Sequence, residues 1–288
     1  MTMTERVAVC GADGFIGRHF VRILERDFRV VAISHDDMKL SPKEIGQKLS
    51  GCLAVYNLAG TSLFARWNES VSYSIYSSRI LILKKLAKSI EFAECKPEMF
   101  FQASFAMQYD SFEVHDEFST VFEDNLLTET ARQIEDISQA FCAKFGIRLI
   151  IGRFGLVLGL DGGIFGLLHK MTEAGWGGVV GDGYQCIPIV HVDDAVNSMY
   201  FFMQNKSCSG IYNITIPNLC SLSEICDFMA EMRAHQLSVP EPLLKLFCGD
   251  GVAVFLTNRK VVPQRLLSGG FVFEFPTAKS VIANLLKG

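Results

Sequence analysis

The sequence predicts an α/β protein built on a doubly wound parallel sheet, and three observations point there. Short, continuously apolar runs alternate with longer stretches of helical periodicity. The first apolar run stops at a glycine-rich turn. Nearly half of the 288 residues, 49%, are hydrophobic, enough to bury a large core. Strands covered on both faces show apolar runs instead of period-two alternation, and right-handed crossovers between them wind a sheet in both directions.

Residues 7–10 form the first strand and residues 15–24 the first helix, with apolar positions at helical spacing. Residues 30–33 and 53–58 read as the second and third strands. Residues 68–92 have the length and periodicity of a long helix, which Pro97 keeps from continuing into the fourth strand at residues 99–103. A helix over residues 128–145 ends at Gly146, a residue suited to a left-handed cap, and residues 147–151 begin another strand. The texture then changes to glycine-rich segments at residues 155–166 and 175–183, expected to be loops lining a cleft. Residues 191–203 read as a helix with an acidic first turn, and residues 211–214 as one more strand. The expected division is a dinucleotide-binding body over residues 1–216, with its cleft-lining segment at about 159–186, and a smaller unit over residues 217–288. The latter holds a helix at 222–232 and a loop flanked by Pro240 and Pro242.

Composition excludes several classes of function. With 27 basic and 31 acidic residues, the net charge of -4 offers no basic stripe to neutralise phosphates, so no nucleic-acid partner is expected. Nine cysteines contain no C-x-x-C pair, which argues against a zinc site or disulfide framework and leaves no metal site expected. The polar start before residue 7 does not read as a signal peptide, and no segment approaches the ~20 apolar residues of a membrane span. A cytoplasmic protein with a small-molecule substrate and no membrane partner is the expectation.

Gly11, Ala12, Asp13, Gly14, Phe15, Ile16 and Gly17 place three glycines at G-x-x-G-x-x-G spacing between a strand and a helix. The first glycine permits the tight turn, the second lets backbone N–H groups approach a pyrophosphate, and the third allows close helix-to-strand packing. This is the signature of a Rossmann fold holding NAD or NADP. An NAD site usually carries an acid at the end of the second strand to accept from the ribose 2′-OH. Here that strand ends in Ser34 and His35, with Asp36 and Asp37 slightly beyond. A neutral serine leaves room for a 2′-phosphate, so NADP is favoured, with NAD as the alternative.

These residues resemble the extended short-chain dehydrogenase/reductase superfamily, and more narrowly its NAD(P)-dependent epimerase/dehydratase-like branch with a short C-terminal domain. The match runs through Gly11 to Gly17, Tyr56-Asn57-Leu58-Ala59-Gly60, Arg66-Trp67 with Ser78-Arg79, and Ala103-Ser104 with Tyr109. It continues through Arg153 to Gly159, Gly162-Gly163, Gly175 to Gly183, His191-Val192-Asp193-Asp194 and Val262-Pro263 to Phe275-Pro276. The resemblance implies an oxidoreductase or epimerase/dehydratase acting on a small polar or nucleotide-sugar-like substrate. It also implies cofactor contacts from Gly11, Asp13, Gly14, Phe15, Ile16, Gly17, Ser34, His35, Leu58, Ala59, Gly60, Arg79, Ser104, Phe154, Gly155, Leu156 and Val157. A homodimer through two helices is common in related folds.

The superfamily's Tyr-x-x-x-Lys dyad is missing, and Leu127 and Ala131 occupy its positions. Ser72, Tyr184 and Cys186 also depart from the branch's usual Lys, Arg and Trp. The residues left for chemistry are Ser104, to hydrogen-bond a substrate oxygen, and Tyr109, as a proton donor. Arg66 and Arg79 could clamp an anion. His191 reads chiefly as an architectural residue at a helix start, and Glu113, Asp116 and Glu117 as a solvated acidic loop. The rival reading is an NADP(H)-binding sensor or scaffold protein without turnover.

Overall fold

The computed structural model describes residues 5–63, 68–163, 165, 183–231 and 257–287. Six parallel strands form the central sheet in the order β2 (Arg29–Ile33), β1 (Arg6–Cys10), β3 (Cys52–Asn57), β4 (Met99–Phe105), β6 (Arg148–Phe154) and β9 (Gly210–Ile214). The chain moves one way from β1 to β2 and the other way from β1 to β3. The carboxyl ends of β1 and β3 therefore flank the crevice where open α/β sheets take ligands.

Alternation along the strands fills both faces. Val7, Val9, Ala54, Tyr56, Met99 and Phe101 point into one core, with Phe20 and Leu24 of α1 (Phe15–Leu24) and Met199 and Phe202 of α5 (Val192–Gln204). Ala8, Cys10, Cys52, Val55 and Phe100 point into the other, against α2 (Pro42–Leu49), α3 (Glu69–Phe92) and α4 (Leu126–Phe145). That two-sided burial is why the strands read as apolar runs.

The expected elements are present with shifts of a residue or two at most ends, the largest being the fourth and fifth strands, which run on to Phe105 and Phe154. Asn68 caps α3 by accepting from Val71 N–H, and Gly146 closes α4 at φ 64°. The expected loop at residues 155–166 needs correction. Its first part is a strand, β7 (Leu156–Gly159), paired in parallel with β8 (Ile189–His191). Buried Leu156, Val157 and Leu158 supply the apolar content of that strand, which the surrounding glycines masked in the sequence. Gly163 follows it with φ 66°, and of residues 175–183 only Gly183 lies within the described residues. Helix α2 is an addition to the expected elements, although its signals are local: Pro42 in the first turn and a reciprocal Ser41/Glu44 capping box.

Three further elements are short. β5 (Val114–His115) pairs with β10 (Lys260–Val261), and α7 (Gln264–Ser268) packs beside β9. At the carboxyl end, α8 (Ala278–Leu285) packs against α6 (Leu222–Glu231) and contributes Val281, Ile282 and Leu285 to a third core with Phe105, Leu158 and Ile189. Pro240 and Pro242 lie outside the described residues.

Candidate dinucleotide cleft and its buried polar chain

The turn after β1 is shaped by its glycines. Gly11 has φ 82°, and a Cβ there would lie 2.9 Å from Ala59 N; a Cβ on Gly17 would lie 2.0 Å from the Gly11 carbonyl oxygen. Both positions therefore require glycine. Gly14 is the N-cap of α1, and no side chain caps that terminus. The N–H groups of the first turn, from Phe15, Ile16 and Gly17, have no intrahelical acceptor and carry the positive end of the helix dipole, a fitting cradle for a pyrophosphate.

A cleft of about 450 Å³ opens from this turn. Gly11, Asp13 and Gly14 line it at one end, Ser34 and His35 at the end of β2, and Leu58, Ala59 and Gly60 after β3. Eight of the expected contacts thus converge on one space. Motif spacing did not reveal the opposite wall, where Ser77, Ser78, Leu81 and Ile82 of α3 face the cleft. Their i, i+1, i+4, i+5 spacing marks one helix face and was the available signal.

Other expected contacts lie elsewhere. The Phe15 ring packs on the end of β7 and the turn after it, where Cβ atoms on Gly159 or Gly162 would collide with it. Ile16 joins the edge of the first core. Phe154, Gly155, Leu156 and Val157 are buried at the β6–β7 junction, where Leu156 N–H donates to Pro188 O, and they do not line the cleft. Arg79 is also absent from its lining, and Arg66 lies outside the described residues.

At the end of β2 the chain folds back so that Asp37 accepts from both the N–H and the O–H of Ser34, at 2.9 and 3.0 Å, while pairing with Lys48. The Lys48 ammonium and the Ser34 donors hold the Asp37 carboxyl below its usual range. Its acceptor sites are thus directed at the protein, and His35 is the side chain beside Ser34 that lines the cleft.

Ser104 and Tyr109 belong to a continuous buried polar chain. Ser104 O–H donates to Glu135 Oε1 at 2.5 Å; Arg153 Nε and a terminal nitrogen donate to the same carboxylate at 3.0 and 2.6 Å. The other Arg153 nitrogen donates to Tyr109 Oη at 2.8 Å, and Tyr109 O–H donates to Asn213 Oδ1 at 3.0 Å. Asn213 N–H in turn donates to Glu117, which also accepts from Arg265 N–H. Tyr109 is fully buried, 0% exposed, and burial pushes its phenol up. In this geometry Tyr109 positions Arg153 and has no open path to a substrate. Ser104, 3% exposed, has its proton committed to Glu135 and offers only acceptor capacity. Glu117 is buried in this chain and not solvated as the acidic loop suggested; burial raises its carboxyl. The dyad positions Leu127 and Ala131 are buried in the third core.

His191 is the N-cap of α5. Its Nδ1 accepts from Asp193 N–H, its Nε2 meets Asn284 Oδ1 at 3.1 Å, and its ring packs 4.1 Å from that of Phe275. Burial holds it below its ordinary 6.5, so the neutral ring braces α5 against α8. Among the described residues no group of three or more His, Cys, Asp or Glu suits a metal ion, and no helix is long and apolar enough to cross a membrane.

Comparison with known proteins agrees with this geometry. The model of the NAD dependent epimerase/dehydratase family matches residues 7–215, and a domain of unknown function (DUF1731) matches residues 239–285. The chain is 32% identical to the chloroplastic epimerase family protein SDR39U1 homolog of Arabidopsis thaliana, across 98% of this chain and 86% of that protein. In fold it resembles human epimerase family protein SDR39U1, solved with NADPH, at a TM-score of 0.87 and 23% identity, covering 98% and 99% of the two chains. It also resembles UDP-glucuronic acid 4-epimerase of Bacillus cereus, solved with UDP-glucuronic acid and NAD, at a TM-score of 0.77 and 16% identity, covering 98% of each chain.

Proposed function

Because the chain belongs to the NAD dependent epimerase/dehydratase family, we propose that it binds NADP(H) in the cleft between β1, β2 and β3 and acts as an oxidoreductase or epimerase/dehydratase. Its substrate would be a small polar or nucleotide-sugar-like molecule. The observation that carries the cofactor reading is the convergence of the uncapped α1 terminus, the Ser34–His35 strand end and the Leu58–Gly60 turn on one cleft. Gly11 to Gly17 would hold the pyrophosphate, and Ser34 and His35 the adenosine ribose. NADP(H) is preferred over NAD(H) because Asp37 spends its acceptors on Ser34 and Lys48 and does not line the cleft. The solved human relative carries NADPH. When bound, a nicotinamide ring exchanges a hydride with a substrate carbon. Ser104 remains the candidate to accept a hydrogen bond from a substrate hydroxyl, with Tyr109 acting behind it through Arg153 and Glu135.

The division into a body over residues 1–216 and a smaller unit over 217–288 is proposed on the same footing, as is a cytoplasmic location; the two family matches end and begin on either side of residue 217. The test of the cofactor is thermal unfolding with NADPH, NADP⁺, NADH and NAD⁺. NADPH at a hundredfold excess over its dissociation constant should stabilise the protein by about 2.7 kcal/mol. No shift from any of the four at millimolar levels defeats the reading.

A second reading is favoured by the buried Leu127 and Ala131 and by the enclosed Tyr109: an NADP(H)-responsive sensor or scaffold without turnover. It requires a partner surface that changes with occupancy. NADPH oxidation by any carbonyl or sugar-nucleotide substrate, or captured partners unchanged by NADP⁺ and NADPH, would reject it.

A further inference from the structure

The two acids after β2 differ in their surroundings. Asp36 has an 86% exposed side chain and meets Lys39 Nζ at 2.7 Å on the open surface. Asp37 has a 14% exposed side chain and folds back on the strand end. Its two oxygens have separate duties. Oδ2 accepts both donors of Ser34, the N–H at 2.9 Å and the O–H at 3.0 Å. Among the described residues, Oδ1 meets Lys48 Nζ alone.

Lys48 is delivered by an anchored helix. Ile45 and Leu49 of α2 are buried, and Gly46 lies against α3, where a Cβ would come within 2.5 Å of Ser89 O. Arg6 donates to Lys48 O at 2.9 Å and to Ser50 O at 3.2 Å, tying the end of α2 to β1. The turn after β2 is closed by other bonds. Asp37 N–H donates to Ser34 Oγ at 3.1 Å, and Met38 N–H to Ser34 O at 3.3 Å. What Lys48 adds to the turn is a positive charge and an occupied carboxylate oxygen.

This turn stands at the dinucleotide cleft. Ser34, His35 and Met38 line it, whereas Asp37, between the last two in sequence, does not. The end of the second strand is where such a cleft tells its two cofactors apart. A carboxylate there accepts from a ribose 2′-OH, and the same charge repels a 2′-phosphate. We propose that Lys48 is a specificity-determining positioning residue: by occupying Asp37 Oδ1 it denies that oxygen to the 2′-OH of NAD(H) and offsets the carboxylate's charge beside the 2′-phosphate of NADP(H). The proposal rests on dinucleotide binding in this cleft and assigns the choice of cofactor to a residue of α2, outside both the glycine turn and the cleft lining. Without Lys48, Ser34 would still hold Oδ2, and Oδ1 would be free to accept from a ribose.

Calorimetric titrations with NADPH and with NADH give dissociation constants for wild type, K48Q, K48R and the double variant K48Q/D37N, with circular dichroism to show that each folds. Wild type should favour NADPH. K48Q should bind NADH about tenfold more tightly than wild type does, the scale of one charge-assisted hydrogen bond, and NADPH more weakly. K48R keeps a cation on Asp37 and should retain the wild-type ratio. In K48Q/D37N the gain for NADH should vanish, because no carboxylate remains to be freed. A loss of NADPH affinity in K48Q with no gain for NADH would make Lys48 a general attractor of phosphate and overturns the proposal. So does a gain that persists in the double variant, or a wild type that favours NADH. Should K48Q not fold, K48M carries the same expectations. If neither nucleotide binds wild type, the cofactor reading and this proposal fall together; if wild type binds NADPH and K48Q leaves both constants unchanged, the proposal alone falls.

Discussion

Glu135 shows how a single side chain can hold a site's shape. Its carboxylate is 5% exposed as a residue and takes hydrogen bonds from Ser104, Gln108 and Arg153. Removing it in Glu135→Ala would strand the Arg153 cation in the interior, at an expected loss of about 3 to 5 kcal/mol in denaturant unfolding. Glu135→Gln, which keeps the acceptor oxygen, should lose less. His191 offers a test by pH. Folding depresses its pKa below 6.5, so its neutral form is favoured in the native state. Stability from this residue is therefore complete above the unfolded value and is lost as the pH falls below it, because only the unfolded chain takes up the proton. Wild type should lose melting temperature between about pH 7.5 and 5.5 more steeply than His191→Gln. Equal slopes would remove His191 from that account. Neither role was visible residue by residue. The sequence showed a serine, a tyrosine and a histidine of catalytic type, whereas their partners Glu135, Asn213 and Asn284 are distant along the chain.

Helices carry their own punctuation, and it predicts where stability can be altered without touching the cleft. Gly146 ends α4 at φ 64° with nothing within 4 Å of the place a Cβ would take, so Gly146→Ala should cost only backbone strain, about 1 kcal/mol. Ser41→Ala removes the side-chain half of the α2 capping box, leaving Ser41 N–H on Glu44 Oε2, and should cost about the same. Chemical denaturation reads both, and the NADPH-induced shift should survive in each. Apolar periodicity made α1, α3 and α4 legible because each buries one stripe against the sheet. It failed at β7, since a four-residue strand between glycines has too few positions to show a period, and its pairing with β8 is decided about thirty residues later in the chain.

Across the whole molecule, the carboxyl-terminal segment is tied down by Asp194. This buried carboxylate on α5 accepts from Glu274 N–H at 2.8 Å and Phe275 N–H at 2.9 Å, just ahead of α8. Asp194→Ala would leave both donors without that acceptor, at a loss of about 2 to 4 kcal/mol, and should make residues 271–287 the first site of limited proteolysis. Cleavage there at the wild-type rate would show that the core around Val281 and Ile282 suffices alone. A homodimer, expected from the resemblance, is read by light scattering across protein concentration; a mass of one chain throughout would reject it.

By itself the sequence determined the alternation of strands and helices, the glycine turn and most of one wall of the cleft, because these depend on local backbone freedom and on which side chains can leave water. Tertiary structure alone decided which polar groups meet. It turned Asp37 back onto Ser34 and enclosed Tyr109 between Arg153 and Asn213. Hydrogen bonds and ion pairs act over a few ångströms in space, and nothing in the order of residues along a chain sets those distances.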